Sequence, residues 1–191
     1  CGPDEGILEI RFDLDRVRHA WRGAPLGGRP PDHWRYRELL PLAVASVPGQ
    51  WPVGWTPSVS APRLARELGV AELLVKDEAR NPTASLKDRA SSVGVAHALQ
   101  RGAATIACAS TGNAATSLAG HAALAGLPAV IFVPQTAAEP KLAQLLVYGA
   151  TVFAVAGPYA NAYALCSAAC DKFGWYNRNC ALNPVLVEGK K

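Results

Sequence analysis

Lys87 stands at an electrostatically unusual place, the first turn of a predicted helix. The pair Asn81-Pro82 is a turn signal, and Ser85–Arg101 has the periodicity of a helix. The free N–H groups at a helix start carry about half a positive charge, which disfavours a protonated amine there. A neutral lysine amine is a nucleophile for carbonyl carbon. The stretch therefore predicts an activated amine, with a solvated surface lysine beside Asp88 and Arg89 as the alternative.

Capping signals mark where two of the helices begin. Thr83 or Ser85 is the expected cap of the lysine helix, and Asp88 follows Ser85 at the spacing of a capping box. Thr136 is the expected cap of a later helix. Lys141, one turn into that later helix, is expected to be solvated.

A second polar loop, Ser110-Thr111-Gly112-Asn113, lies between a predicted strand and a predicted helix. Gly112 lets the backbone approach a ligand closely. The N–H groups of the helix start, with the hydroxyls of Ser110 and Thr111, form a cradle suited to a carboxylate or a phosphate. Asn113 offers an amide to an oxygen on an aromatic ring. An ordinary helix cap is the alternative, and the loop has neither the P-loop nor the dinucleotide-binding glycine pattern.

Strands and helices alternate from residue 61 onward. Apolar strands alternating with helices that end at glycine predict an α/β fold, a parallel sheet flanked by helices on both faces. The predicted strands are Leu73–Lys76, Thr105–Ala109, Ala129–Val133 and Thr151–Ala156, with Trp175–Asn177 opening one more. The predicted helices are Leu64–Leu68, Ser85–Arg101, Ala114–Leu124, Glu139–Tyr148 and Ala160–Phe173. Ligands of such sheets bind beyond the carboxyl ends of the strands, where both polar loops are expected.

The first 60 residues differ in composition from the rest of the chain, because they are rich in Pro, Gly, Arg and Trp. Ile7–Phe12 alternates with period two and predicts a strand. Short helices are predicted at Asp15–Trp21 and Trp34–Leu42, with irregular chain elsewhere. We therefore predict two parts, 1–60 as an extension leading into a larger domain and 61–191 as the strand–helix repeats.

The composition excludes several classes of protein. The chain has 191 residues, a net charge of +4, 18% charged residues and 50% hydrophobic residues. This composition argues against a disordered chain, and the small, scattered positive charge argues against a nucleic-acid partner. No run reaches the ~18 apolar residues of a membrane span, and no signal peptide is recognised at the start. A cytoplasmic protein without a membrane partner is expected.

Cysteine and histidine give no metal signal. The five cysteines are too few and too irregular for a disulfide framework, and Cys166 and Cys170 share a helix face as small core residues. The four histidines lack metal spacing, so no metal site is predicted. His97 and His121 are expected inside helices, at the core or the surface. Cys1 is compatible with the end of a zinc knuckle, which needs further ligands.

Two segments together resemble fold-type II pyridoxal-phosphate enzymes, most closely the threonine synthase family. They are Asn-Pro-Thr-Ala-Ser-Leu-Lys-Asp-Arg at 81–89 and Ala-Ser-Thr-Gly-Asn-Ala-Ala at 109–115. Gly54-Trp55-Thr56-Pro57, Asn183-Pro184 and Glu188-Gly189-Lys190-Lys191 extend the resemblance along the chain. It implies a tryptophan synthase beta-like fold of which these residues are the N-terminal part, including the small substrate-side domain.

The resemblance also implies roles for single residues. Lys87 would form the Schiff base with pyridoxal 5'-phosphate and shuttle protons, and Asn113 would bond the ring hydroxyl of the cofactor. The implied substrate-binding residues are Ser85, Ser110, Thr111, Gly112 and Asn113. The implied reaction converts O-phosphohomoserine and water to threonine and phosphate, in a homodimer.

The sequence departs from the family pattern in three ways. Leu86 and Ala84 replace Phe and Gly of the lysine motif. The family's phosphate-binding residues correspond to Cys180, Ala181 and Leu186, so its arginine is replaced by leucine. The cofactor-phosphate loop and the partner of the pyridine nitrogen are expected beyond these residues. The alternatives are a serine/threonine ammonia-lyase, a cysteate synthase, or a non-catalytic truncated relative.

Overall fold

A four-stranded parallel sheet forms the centre of the molecule, with strand order β5-β4-β3-β6. The computed structural model describes residues 8–43 and 51–191. The strands are β1 (Ser58–Ser60), β2 (Leu74–Lys76), β3 (Ile106–Ala109), β4 (Ala129–Pro134), β5 (Thr151–Val155) and β6 (Tyr176–Asn177). The helices are α1 (Leu14–Gly23), α2 (Pro62–Leu68), α3 (Lys87–Gln100), α4 (Asn113–Leu124), α5 (Glu139–Val147), α6 (Tyr159–Phe173) and α7 (Pro184–Glu188). Short 3-10 helices lie at Leu26–Gly28, His33–Leu39 and Glu78–Arg80.

The two central strands are buried on both faces, which explains their continuous apolar runs. Ile106 of β3 lies opposite Ala129 of β4 and opposite Tyr176 of β6. One face packs under α3, α4 and α5, with Ile106, Leu118 and Ile131 among its core residues. The other face packs against α6. The predicted parallel sheet flanked by helices is confirmed.

The strand before the lysine helix does not belong to this sheet, so its predicted place was wrong. Strand β2 pairs antiparallel with β1, with Val75 opposite Val59, in a separate two-stranded sheet. Every residue of both strands is exposed. A central position in a parallel sheet needs burial on both faces, and the short β2 lacks it. Strand β6 occupies the fourth position instead.

The strand predicted at Ile7–Phe12 is also wrong over the residues that the structure describes. Residue 7 lies outside them, and residues 8–12 form no strand. Leu8 is exposed instead of pairing with a strand. Ile10 packs against the cluster around Leu186, and the Lys191 ammonium lies 4.2 Å from the centre of the Phe12 ring.

The N-terminal region begins with α1, as predicted at Asp15–Trp21, where the Asp13 carboxylate caps the helix. The helix predicted at Trp34–Leu42 is a 3-10 helix. The Glu38 carboxylate, which accepts hydrogen bonds from Arg29 at 2.7 Å and from Trp21 at 3.0 Å, joins these elements. The division into 1–60 and 61–191 stays a prediction. Across residues 8–43 and 51–191, no helix combines the length and hydrophobicity that a membrane crossing requires.

Candidate functional site

Lys87 is the first residue of α3, and its side chain is partly exposed. Its backbone N–H donates to Oγ of Ser85 at 3.0 Å, so this serine satisfies one of the free N–H groups of the first turn. Among the residues that the structure describes, no carboxylate pairs with the Lys87 amine. The sequence therefore places a lysine without an acid partner at a helix start.

The helix of Lys87 packs directly on the helix of Asn113. Oγ of Ser91, one turn after Lys87, lies 2.5 Å from Oγ of Ser117, one turn after Asn113. The loop before α3 also lies close to α4, since an added Cβ at Gly120 would lie 2.8 Å from the methyl carbon of Thr83. The two residues predicted to do chemistry thus begin two helices that touch one turn further along.

Asp88 joins the lysine loop to α4. Its carboxylate accepts hydrogen bonds from Thr83 N at 2.8 Å, from Thr83 Oγ1 at 2.6 Å and from His121 Nε2 at 3.0 Å. Both Asp88 and His121 are 0% exposed. The predicted pairing of Asp88 with Ser85 was wrong, because the turn before α3 brings Thr83 over the carboxylate. His121 is a core residue, and sequence reasoning missed its role.

A second polar cluster holds the Asn81 turn. Arg89 donates to both oxygens of Glu78, at 3.0 and 2.7 Å, and Thr56 Oγ1 donates to Glu78 Oε1 at 2.7 Å. Asn81 donates to Glu78 Oε2 at 2.9 Å and accepts from Gly54 N at 3.0 Å. The Arg89 guanidinium lowers the pKa of Glu78 to about 2. The Gly54–Pro57 motif therefore supports the lysine loop from outside.

Ala84 completes this turn in a left-handed conformation, with φ of +58°. Its N–H donates to Asn81 O at 2.8 Å. A side chain disfavours this φ, and glycine does not suffer the clash. The conformation gives the physical reason for the glycine that the family pattern places here.

The second polar loop lies at the carboxyl end of β3, as predicted. Oγ of Ser110 accepts from Gly112 N at 3.2 Å, and the Thr111 and Asn113 side chains are exposed. An added Cβ at Gly112 would meet no heavy atom within 4 Å. Ser110, Thr111, Gly112 and Asn113 are thus contiguous on an open side of the sheet. Ser85 lies apart from them in sequence, buried beneath the start of α3.

Lys141 joins this loop, although it was expected to be solvated. Its Nζ donates to Oδ1 of Asn113 at 3.3 Å. Helix α5 begins after Ala138 without a side-chain cap, so the predicted Thr136 cap was wrong. The position of Lys141 after β4, one turn into the next helix, was the signal available in the sequence. The contact adds a cation to the mouth of the loop.

Leu186 does not face this loop. It is 0% exposed and packs on α3, where an added Cβ at Gly94 would lie 2.7 Å from its Cδ1. A leucine here is a core residue, and the correspondence of position 186 with the family's arginine stays a prediction. A different arginine, Arg178, lies in the interior beside Ser91.

This chain belongs to the pyridoxal-phosphate-dependent enzyme family, whose model matches residues 51–191. The matched region contains both polar loops and the whole parallel sheet. Membership makes pyridoxal phosphate the cofactor of this family.

Among curated proteins, the chain is similar to threonine synthases. It is 38% identical to that of Methanosarcina acetivorans and 37% identical to that of Methanocaldococcus jannaschii, each over 100% of this chain and 46% of the relative. The chain thus spans about half the length of the curated relatives it matches. Among solved structures, diaminopropionate ammonia lyase from Escherichia coli aligns with a TM-score of 0.67 and 22% identity, covering 75% of this chain and 43% of that chain.

The residues present fit such a cofactor. The Lys87 amine has no ion pair within the described ranges, 8–43 and 51–191. The Asn113 side chain is exposed at the start of the helix that packs on the helix of Lys87. The open space at Gly112 leaves room for a bound group. An amine can condense with the aldehyde of pyridoxal phosphate, and an amide can form a hydrogen bond with its ring hydroxyl.

Proposed function

We propose that this chain serves in a threonine synthase, which converts O-phosphohomoserine and water to threonine and phosphate. The pairing of Lys87 and Asn113 at the starts of two touching helices carries the proposal. The similarity to two threonine synthases over the whole of this chain supports O-phosphohomoserine as the substrate. The alternatives, a serine/threonine ammonia-lyase, a cysteate synthase or a non-catalytic relative, use the same loops but lack that support.

The proposed roles follow from chemistry and position. When bound, pyridoxal phosphate supplies the electron sink for carbanion chemistry. Lys87 holds the cofactor through its Nζ, and the same amine takes a proton from the substrate and returns it. The Asn113 amide orients the ring through its hydroxyl. Lysine is suited to both tasks because a neutral amine is at once a nucleophile and a base.

The substrate carboxylate is proposed to bind at the start of α4. Backbone N–H groups near Gly112 and Asn113 point toward an anion there, and the hydroxyls of Ser110 and Thr111 add donors. Lys141, already 3.3 Å from the Asn113 amide oxygen, supplies a positive charge for a second anionic group. The role of Ser85 in substrate binding is proposed to be indirect, through the backbone of Lys87.

The assembly and location of the enzyme are also proposals. We propose a cytoplasmic homodimer that acts on a small amino acid and has no nucleic-acid partner. The low net charge of +4 supports the last point. Light scattering of the full-length protein measures the assembly, and a monomer would contradict the dimer.

The decisive experiment incubates full-length protein with O-phosphohomoserine and measures phosphate release. Release with formation of threonine is expected. Turnover of serine or O-phosphoserine without that release would replace the proposal by one of the alternatives.

A spectroscopic experiment tests the role of Lys87. The full-length protein is expected to show a visible absorbance band that borohydride bleaches. Lys87→Ala is expected to lose the band, while Lys172→Ala, at an exposed position near the end of α6, keeps it. A band that persists in Lys87→Ala would disprove the assignment of the amine.

A further inference from the structure

Arg178 is a buried guanidinium without an acid partner. It is 3% exposed, and Nη2 donates to Oγ of Ser91 at 3.0 Å. Nη1 has a long contact to Sγ of Cys180 at 3.9 Å, and Nε has no hydrogen-bond partner. No ion pair of Arg178 occurs within the part of the chain that the structure describes. Its positive charge is thus uncompensated there.

An uncompensated buried charge needs an explanation, because removing a cation from water is costly unless an anion balances it. Two partly buried arginines have acids, since Arg29 pairs with Glu38 and Arg89 with Glu78, both at 2.7 Å. The partly buried Arg35 instead donates to Leu26 O and lies over the Trp55 ring, so Arg178 is the most deeply buried of the four. Arg178 differs from them in position as well. Its backbone N–H donates to Ala107 O at 2.8 Å, which places it beside the middle of β3.

A chain of hydrogen bonds leads from Arg178 to the start of α4. The guanidinium donates to Ser91, whose hydroxyl lies 2.5 Å from that of Ser117. Ser117 Oγ in turn donates to Ala114 O at 3.4 Å, in the first turn of α4. Hydrogen bonds arranged in such a chain polarise one another. The positive charge is therefore coupled to the turn that begins with Asn113.

We propose that Arg178 is a specificity-determining positioning residue, whose positive charge raises the affinity of the start of α4 for an anionic group of the substrate. This inference rests on the proposed function. Arg178 acts through Ser91, Ser117 and its electric field, and does not need to touch the substrate. It would favour a phosphorylated amino acid over a neutral one.

The expected size of the effect follows from charge separation. Ser91 is one turn, or roughly 5–6 Å, behind the first turn of α3, so the guanidinium lies roughly 10 Å from an anion at the helix starts. At that separation and an effective dielectric constant near 20, a unit charge changes the affinity for another by about tenfold. A dianion responds more strongly.

The test supplies Arg178 with a carboxylate from the protein itself. In Cys180→Asp, the new carboxylate stands next to Nη1 and can pair with Arg178, whereas Cys180→Asn is the neutral control of equal shape. Full-length protein loaded with cofactor, as verified by its visible band, is titrated with inorganic phosphate in a calorimeter. Cys180→Asp is expected to bind phosphate about tenfold more weakly than Cys180→Asn, and this difference is expected to disappear when Arg178→Gln is introduced into both variants. Equal phosphate affinity in the two variants would overturn the proposal.

Further variants separate charge from structure. Arg178→Gln is expected to raise KM for O-phosphohomoserine about tenfold with a smaller change in kcat, while Arg178→Lys retains most of the affinity. Arg66→Gln, at an exposed position on α2, serves as the control for lost charge. A folded Arg178→Gln with unchanged KM and phosphate affinity would contradict the inference. Titration with acetate distinguishes a carboxylate partner from a phosphate partner.

The two proposals fail in different ways. Absence of the visible band in the unmodified full-length protein counts against the proposed function, whatever Arg178 does. A normal band with phosphate binding that ignores the charge at position 178 counts against this inference alone.

Discussion

The Asp88 carboxylate and the His121 ring meet at 3.0 Å where neither side chain has any contact with solvent. Asp88 directly follows Lys87, and His121 lies two turns after Asn113. The hydrogen bond therefore fixes the lysine helix α3 against the asparagine helix α4 by a direct contact between their side chains.

Loss of this contact is expected to destabilise the protein. His121→Phe removes the donor from a buried carboxylate, which still accepts two hydrogen bonds from Thr83. The free energy of unfolding is expected to fall by about 1–3 kcal/mol. Urea unfolding of His121→Phe, Asp88→Asn and the double variant gives the coupling energy. Strictly additive effects would show that the two side chains do not interact.

The left-handed turn at Ala84 predicts a substitution that stabilises the protein. Ala84→Gly removes a steric cost of about 1–2 kcal/mol, of which the greater freedom of glycine in the unfolded chain cancels about 0.4–1 kcal/mol. A net gain of up to about 1 kcal/mol is expected in thermal or urea unfolding. Ala164→Gly, at an exposed position inside α6, is the control and should lose about 0.5–1 kcal/mol. Equal losses in both variants would refute the argument.

The Glu78–Arg89 pair predicts a dependence of stability on pH. Arg89 lowers the pKa of Glu78 from 4.5 to about 2. A carboxylate with a lowered folded-state pKa stabilises the fold above its unfolded pKa, and this contribution is lost as the pH falls toward the folded value. Glu78→Gln should cost about 1–2 kcal/mol at pH 7, since water in contact with the carboxylate screens part of the interaction.

The difference between Glu78→Gln and the unmodified protein should shrink between pH 4.5 and pH 2, where Glu78 becomes protonated. Glu38 titrates in the same window, because Arg29 lowers its pKa to about 2. Glu38→Gln is therefore the matched control for the loss of an arginine-paired carboxylate. It should lower the free energy of unfolding over the same pH range and leave the visible band of the full-length protein unchanged. A pH-independent cost of Glu78→Gln would be inconsistent with the pair.

The burial of Leu186 predicts that the family's arginine cannot simply be restored. Leu186→Arg places a charge at a position that is 0% exposed, which is expected to cost several kcal/mol of stability. Val187→Arg, one residue further along and exposed, should be tolerated. Urea unfolding compares the two variants. A stable Leu186→Arg with tighter phosphate binding would place position 186 at the site instead of in the core.

The sequence predicted the regular part of the fold well, because buried parallel strands and glycine-terminated helices have strong periodic signals. Strands β3, β4 and β5 and helices α3 to α6 lie where the patterns placed them. The short strand β2 had the right position but the wrong sheet, since three residues cannot reveal their partner. Strand β1 and helix α7 were not predicted, for they span three and five residues.

The candidate site was predictable where helix starts and loops carry their own chemistry, as at Lys87 and Asn113. Residues that act across the fold were missed. His121, Lys141 and Arg178 make contacts over separations of 28 to 87 residues, and no local pattern encodes such a partner. The residue assignments at the two loops stay predictions until the variants are measured.

The exposed pair of strands β1 and β2 has a consequence for how the molecule opens. An isolated two-stranded sheet is marginal in water, whereas β3 and β4 are buried throughout. In deuterated buffer, the amide protons of Val59 and Val75 should exchange much sooner than those of Cys108 and Ile131. This chain would then melt in at least two stages, with the parallel strands forming the last cooperative unit to open.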